Sequence, residues 1–244
     1  MADMRSEIDR PLSTEVPAAS RRGERPESPK GKGVLVIGLG RFGSSIALTL
    51  ERLGHDVLAV ERSADLVQHF TGRFPLVEAD ATNPEALLQL GAKDFPVAVV
   101  GVGTSLEASV LITGNLVDLG MQQIWAKAIS AEHSRILHRI GAHHVVLPEA
   151  DAGNRVAHLV SGKLLDYIEV EDDFTIVKMR PPRETQGFTI GQSQIRKRYG
   201  VTVIGVKPPG EDFLYATEET RISANDILIV SGNAALLERF AARP

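Results

Sequence analysis

Short runs of aliphatic and β-branched residues recur along this chain, separated by stretches in which apolar residues return every three or four positions. Reading the first pattern as strand and the second as helix predicts strands at 33–37, 56–60, 76–78, 97–102, 124–127 and 143–147. Helices are expected between them at 44–53, 64–71, 84–90, 106–119 and 131–140. Strands alternating with helices in this way predict an α/β unit with a Rossmann-like, doubly wound parallel sheet, whose ligands gather at the carboxyl ends of the strands. One more helix is expected over 151–165, because Val156, Leu159, Val160 and Leu164 fall on one helical face. Beyond it the rhythm changes: strands at 174–179, 201–206 and 227–231 and helices at 192–199 and 234–241 are punctuated by Pro181-Pro182, Pro208-Pro209-Gly210 and Asn225-Asp226. This predicts a second, small α/β unit over 167–244, after a first unit over 33–166. A unit of that size is short of core and gains stability from a partner surface. Residues 1–32 carry thirteen charged residues, four prolines and no aromatic, so they are expected to form a disordered tail.

Composition narrows the picture only a little. The net charge of −4 and pI near 6.0 give no electrostatic case for nucleic acid. No apolar run approaches the roughly 20 residues needed to span a bilayer, so a membrane connection would run through another protein. No apolar signal-peptide core precedes the first strand. The absence of cysteine excludes disulfides and thiolate metal sites and is compatible with the cytoplasm.

The candidate chemistry sits at the strand ends. The first strand leads directly into Gly38-Leu39-Gly40-Arg41-Phe42-Gly43, a G-x-G-x-x-G turn that opens a helix. Gly38 permits the tight turn, Gly40 lets the backbone approach a diphosphate, and Gly43 lets the helix pack on the strand. Free N–H groups at the helix start then face the anion. Glu61, about twenty residues on at the tip of the second strand, is placed to hold ribose hydroxyls. Asp80 and Thr82 follow the third strand, Gly101, Gly103, Thr104 and Ser105 the fourth, Lys127 ends the fifth, and Pro148-Glu149-Ala150-Asp151 follows the sixth. Each taken alone also reads as a helix cap or a polar loop. Arg41, inside the turn, can reach beyond a diphosphate to a terminal phosphate, or lie over the helix end.

A catalytic constellation is missing. None of Tyr167, Tyr199 and Tyr215 has lysine four positions later, and His143-His144 opens a strand, which sends the two rings to opposite faces and gives poor geometry for a joint metal site. A nucleotide-binding regulator is therefore more economical than an oxidoreductase.

The GLGRFG turn, the run Gly54 to Glu61, Glu78-Ala79-Asp80-Ala81-Thr82, Ile124-Trp125-Ala126-Lys127-Ala128, and Ile140-Gly141-Ala142 with Pro148-Glu149 together closely resemble the RCK-domain gating subunits of bacterial Ktr/Trk-type potassium transporters. The resemblance runs from about Gly33 to the C-terminus and implies an RCK N-terminal domain followed by a small RCK C-terminal domain. It also implies a cytoplasmic homo-oligomer, an octameric ring of dimers, docked under a membrane potassium-transporting subunit. Such a subunit is not an enzyme: ATP favours its active ring and ADP the inactive one, while some relatives respond to NAD or NADH. Carried over by position, Gly38, Gly40, Arg41, Phe42 and Gly43 hold phosphates, and Glu61 with Arg62 the ribose side. Asp80, Ala81, Thr82, Gly103 and Lys127 surround the nucleotide. Glu149, from two facing protomers, helps hold Mg²⁺ or Ca²⁺. At the position of Glu61 the family often has aspartate; the added methylene keeps the ribose contact and leaves ATP and NAD both open. In some relatives cyclic di-AMP binds the C-terminal domain, in a region that corresponds to Ile190, Arg196 and residues 203–207. The same residues also suit an ordinary small core with a solvated basic patch. Two other readings stay open: an RCK regulator of another channel or antiporter, and a Rossmann-type oxidoreductase.

Overall fold

The computed structural model describes residues 33–160, 162–171 and 174–243, so the expected tail over 1–32 lies outside the described residues. The first unit runs β1 (Val34–Ile37), α1 (Arg41–Arg52), β2 (Val57–Glu61), α2 (Ala64–Phe70), β3 (Leu76–Glu78), α3 (Pro84–Gln89), β4 (Val97–Val100), α4 (Leu106–Asp118), β5 (Gln123–Lys127), α5 (Ala131–Ile140) and β6 (His144–Val146). All six strands pair in parallel in the order β3-β2-β1-β4-β5-β6. The order reverses direction between β1 and β4, which is where such a sheet opens a crevice for ligands. Strand period two divides the sheet into two packed faces: Leu35 and Ile37 face a core shared with Leu87, Ile112, Leu116 and Leu137, while Val36 faces Ala47, Phe70 and Phe74.

Helix α6 (Pro148–Val160) leads to the second unit, which is built from β7 (Leu164–Glu171), β8 (Phe174–Met179), α7 (Ile190–Ser193), α8 (Ile195–Tyr199), β9 (Thr202–Lys207), β10 (Leu214–Tyr215), β11 (Ile227–Gly232) and α9 (Ala234–Ala241). Its antiparallel sheet has the order β10-β9-β11-β8-β7 and packs Val177, Met179, Leu228 and Val230 against Ile195, Leu237 and Phe240.

The structure changes details of the expected pattern: β10 is an added strand, β4 ends at Val100 rather than Val102, and three further changes bear on the site and the second unit. The helix expected over 151–165 stops at Val160, and Leu164 opens β7 after Gly162 takes a left-handed φ of +73°. The expected boundary after residue 166 therefore falls inside a strand. The single helix expected over 192–199 is two short ones, broken at Gln194 with φ +49°. The helix expected from Ser44 begins at Arg41, so Arg41, Phe42 and Gly43 form its first turn and Gly40 its N-cap.

One buried polar group is expected to make the first unit pH-sensitive. His133 on α5 is fully buried, its Nδ1 accepts the Ile129 N–H at 3.3 Å, and Nε2 finds no partner among the described residues. Burial holds the imidazole below its ordinary pKa. A depressed folded-state value means that the unfolded chain binds the proton first, so stability is lost as the pH falls below the ordinary histidine range. We expect thermal stability to fall on acidification with a component of up to about 1.4 kcal/mol per pH unit, the one-proton limit. His133→Gln should flatten that component, which melting curves between pH 7 and 5 would measure.

Candidate functional site

The crevice at the β1/β4 reversal is a cleft of about 330 Å³. Its floor is the glycine turn. Gly38 has φ +88°, and a Cβ there would meet the Val102 side chain at 2.9 Å. A Cβ on Gly43 would lie 1.9 Å from the Gly38 carbonyl oxygen, and one on Gly101 would lie 3.0 Å from the same atom. The three glycines thus let the turn, the start of α1 and the end of β4 meet in backbone contact.

Above this floor, α1 presents an open N-terminus. Gly40 offers no side-chain cap and the first turn of α1 has no acidic residue. Among α1 to α6, the others all carry a side-chain cap, a first-turn carboxylate, or both. The first N–H groups of α1 thus lack a side-chain cap, an arrangement that suits an external anion.

Glu61 at the end of β2 lines the cleft and ties it together. Oε2 accepts the Leu39 N–H of the glycine turn, and Oε1 accepts the N–H groups of Arg62 and Ser63 at 2.9 Å each. A carboxylate has about four acceptor positions, so a place remains for a ribose hydroxyl. Asp80 accepts from the Thr82 hydroxyl at 2.7 Å and the Thr82 N–H at 3.0 Å, and Arg62 lies 3.7 Å away. These bonds, the hydroxyl foremost, hold the Asp80 carboxyl below the usual carboxylate range. Val60, Leu66 and Ile112 add apolar lining to the cleft.

Of the residues expected from the sequence, Gly38, Gly40, Glu61, Arg62, Asp80, Ala81, Thr82 and Gly103 line this cleft. Gly43 is buried beneath it. Lys127 stands at its flank: a Cβ on Gly103 would meet Lys127 Nζ at 3.3 Å, and that ammonium donates to Glu149 Oε1 at 2.8 Å. Lys127 is largely covered, with 13% of its side chain exposed against 63% for Glu149. The Lys127 hydrogen bond, with Arg41 contributing at longer range, keeps the Glu149 carboxyl below its ordinary range. Arg41 itself is exposed. The Phe42 ring does not line the cleft; it sits 5.9 Å from Lys127 Nζ and faces an apolar groove with Ile46, Val99 and Trp125. His143 and His144 diverge: the first accepts the Ile124 N–H through Nδ1 at 3.1 Å, and the second stacks on Trp125 at 4.0 Å. In the second unit Ile190 packs against the core and Arg196 is exposed on α8.

Asn115 escaped the sequence reading. From the last turn of α4 its Nδ2 donates to the Thr82 carbonyl at 2.9 Å and more loosely to that of Ala81 at 3.4 Å, bracing the loop that carries Asp80. The available signal was an amide inside an otherwise apolar stretch, Leu111-Ile112-Thr113-Gly114-Asn115-Leu116-Val117.

Comparison with known proteins finds related chains. Residues 34–148 match the TrkA-N domain and residues 186–243 the TrkA-C domain. Ktr system potassium uptake protein A of Bacillus subtilis (strain 168) is 35% identical over 213 residues, 86% of this chain and 96% of the relative. Protein C of the same system is also 35% identical, over 87% of this chain and 97% of its own. Protein A of Vibrio alginolyticus is 30% identical over 82% and 92%. Among solved structures, the GsuK RCK domain superposes with a TM-score of 0.61 at 21% identity over 90% of this chain, which spans about half the length of that one, 49%. The GsuK channel bound to NAD gives 0.60 at 20% identity, over 90% of this chain and 41% of that one.

Proposed function

The chain belongs to the family of Ktr-type potassium uptake proteins built from TrkA-N and TrkA-C domains, and from that premise we propose that it is the nucleotide-binding subunit that gates a membrane potassium transporter. ATP with a divalent cation favours the active arrangement, and ADP the inactive one. The carrying observation is the uncapped N-terminus of α1, which begins at Arg41, with Lys127 at the flank of the cleft. The helix end suits the phosphates common to ATP and ADP, and the two cations suit the one that only ATP has. NAD or NADH is the other occupant that this cleft suits, since Glu61 is compatible with any ribose that keeps its hydroxyls free.

A ligand moves a protein only by the difference in its affinity for two shapes. Contacts made to a terminal phosphate and lacking with ADP are such a difference. Charge-assisted hydrogen bonds contribute about 1.5–3 kcal/mol, so Arg41→Ala should weaken ATP about 10- to 100-fold and ADP far less. Equal losses for the two nucleotides by calorimetry would remove Arg41 from that role. The same titrations with NADH and cyclic di-AMP would separate the occupants.

No helix among the described residues is long and apolar enough to cross a membrane; in this reading the subunit reaches the bilayer through its transporter, from the cytoplasmic side. Self-association is supported by two apolar surfaces without cover among the described residues. One is the groove over Phe42, Ile46, Val99 and Trp125, and the other is the α6 face with Val156 and Val160, which are 54% and 77% exposed. Mass measurement in solution tests for the ring.

A further inference from the structure

Among the described residues, side-chain ion pairs hold helix α6 near its two ends. None of its residues is buried. At about 1.5 Å per residue it spans roughly 20 Å. Its first turn carries Glu149, held by Lys127 at the flank of the cleft. Its last two turns carry Arg155 and His158, one turn apart on the same face. Arg155 donates through Nε at 3.0 Å and Nη2 at 2.6 Å to a single oxygen of Asp166 on β7, and that oxygen also accepts the Tyr167 N–H at 2.8 Å. His158 lies flat on the Tyr167 ring, with centroids 3.9 Å apart and an interplanar angle of 8°. Its Nδ1 is 2.8 Å from Glu238 Oε1 on α9. Tyr167 is buried in the second core, and Leu159 packs partly against that core.

Ion pairs as exposed as these contribute little to stability. Their geometry is nonetheless tightly defined: a guanidinium fixed by two donors on one oxygen, and an imidazole fixed both by a parallel ring and by a carboxylate. Together they set the direction in which α6 leaves the second sheet. We propose that the Arg155–Asp166 pair and the His158–Tyr167–Glu238 stack form the joint through which nucleotide occupancy of the cleft is transmitted along α6 to the second unit. The inference rests on the reading of the cleft as a nucleotide site. Without the joint, displacement of the Glu149 end swings the helix about a loose pivot and the second sheet stays where it was. The residues of the joint are positioning residues and touch no ligand.

The absence of native cysteine makes the test direct. Ser45→Cys on α1 and Lys197→Cys on α8 are exposed positions for two spin labels, and labelled chain is diluted into unlabelled chain so that only intrachain distances are read. The parent should bind ATP by calorimetry and show a different label distance with ATP than with ADP. The double variant Asp166→Asn with Glu238→Gln should keep both affinities within about twofold and lose that difference; Asp166→Glu, which keeps the carboxylate, should restore it beside native Glu238. If the double variant is poorly folded by its melting curve, Asp166→Asn alone gives the same comparison. A distance change of parental size in the opened joint overturns the proposal, as does a parent that binds nucleotide without moving. A parent that binds none of the nucleotides overturns the reading of the cleft itself.

Discussion

Gly43→Ala should lower stability by about 2–3 kcal/mol or more and abolish nucleotide binding, whereas Gly40→Ala should stay as stable as the parent and lose binding alone. The two glycines are three residues apart in one turn, and their environments are opposite. A methyl on Gly43 would sit 1.9 Å from the Gly38 carbonyl oxygen and 3.1 Å from its carbonyl carbon, both backbone atoms that no rotamer change can move. The turn or α1 must shift, at the upper end of the usual cost of overpacking. The shift carries off the N–H groups that face the cleft and strains the Leu39 N–H bond to Glu61. A methyl on Gly40 meets no atom within 4 Å, and its φ of −61° and ψ of −177° suit alanine. There the only thing a methyl can obstruct is what enters the cleft. Melting curves and titration with ATP on the two variants would read both effects. A Gly43→Ala protein that melts with the parent, or a Gly40→Ala protein that binds as the parent does, would contradict this account of the turn.

How much of this could be read from sequence depends on the length over which each signal extends. The parallel sheet was legible because its central strands β1 and β4 are buried on both faces and read as unbroken apolar runs, such as Val34-Leu35-Val36-Ile37. The cleft residues were legible because the fold sends every strand end to the same edge. Strand β7 was not legible. Its outer half, Ile168 to Glu171, is exposed, and Leu164 continues the four-residue spacing of Val156 and Val160, so the helical period runs on past the true break. Gly162 was the punctuation that should have outweighed it. The break at Gln194 gave no signal, because a left-handed glutamine looks like any helical glutamine. The direction of the Phe42 ring gave no signal either. Moving the start of α1 from Ser44 to Arg41 rotates Phe42 onto the groove side of the helix.

Replacing Lys127 and Glu149 separately should divide nucleotide affinity from the response to divalent cation. Lys127 is nearly enclosed between Gly103, the Phe42 ring and Glu149, so its ammonium has few routes to water and a strong interest in any phosphate that reaches the flank of the cleft. Lys127→Met keeps the bulk and removes the charge. It should cost ATP about 10- to 100-fold in affinity by the same charge-assisted bond that ADP lacks. Glu149 is different. It is exposed, it is the lysine's partner rather than part of the lining, and its carboxylate is an oxygen donor of the kind that suits Mg²⁺ or Ca²⁺. Among the described residues no three acidic or histidine side chains converge on one point, so one chain offers a cation this carboxylate and little else. In the proposed reading phosphate oxygens and a second copy complete the set. Glu149→Gln should therefore leave the ATP affinity measured without added cation within a few-fold, while abolishing the gain that Mg²⁺ or Ca²⁺ brings. Because Lys127 holds the Glu149 carboxyl below its ordinary range, the cation gain of the parent should persist through mild acid and disappear only as the pH falls below that range. Titrations of parent and both variants, with and without cation, decide the matter. A Glu149→Gln protein with an undiminished cation response would place the ion elsewhere; a Lys127→Met protein that loses ATP and ADP equally would put the lysine on a phosphate that both nucleotides carry, and one that keeps both affinities would make it a support for Glu149 and nothing more.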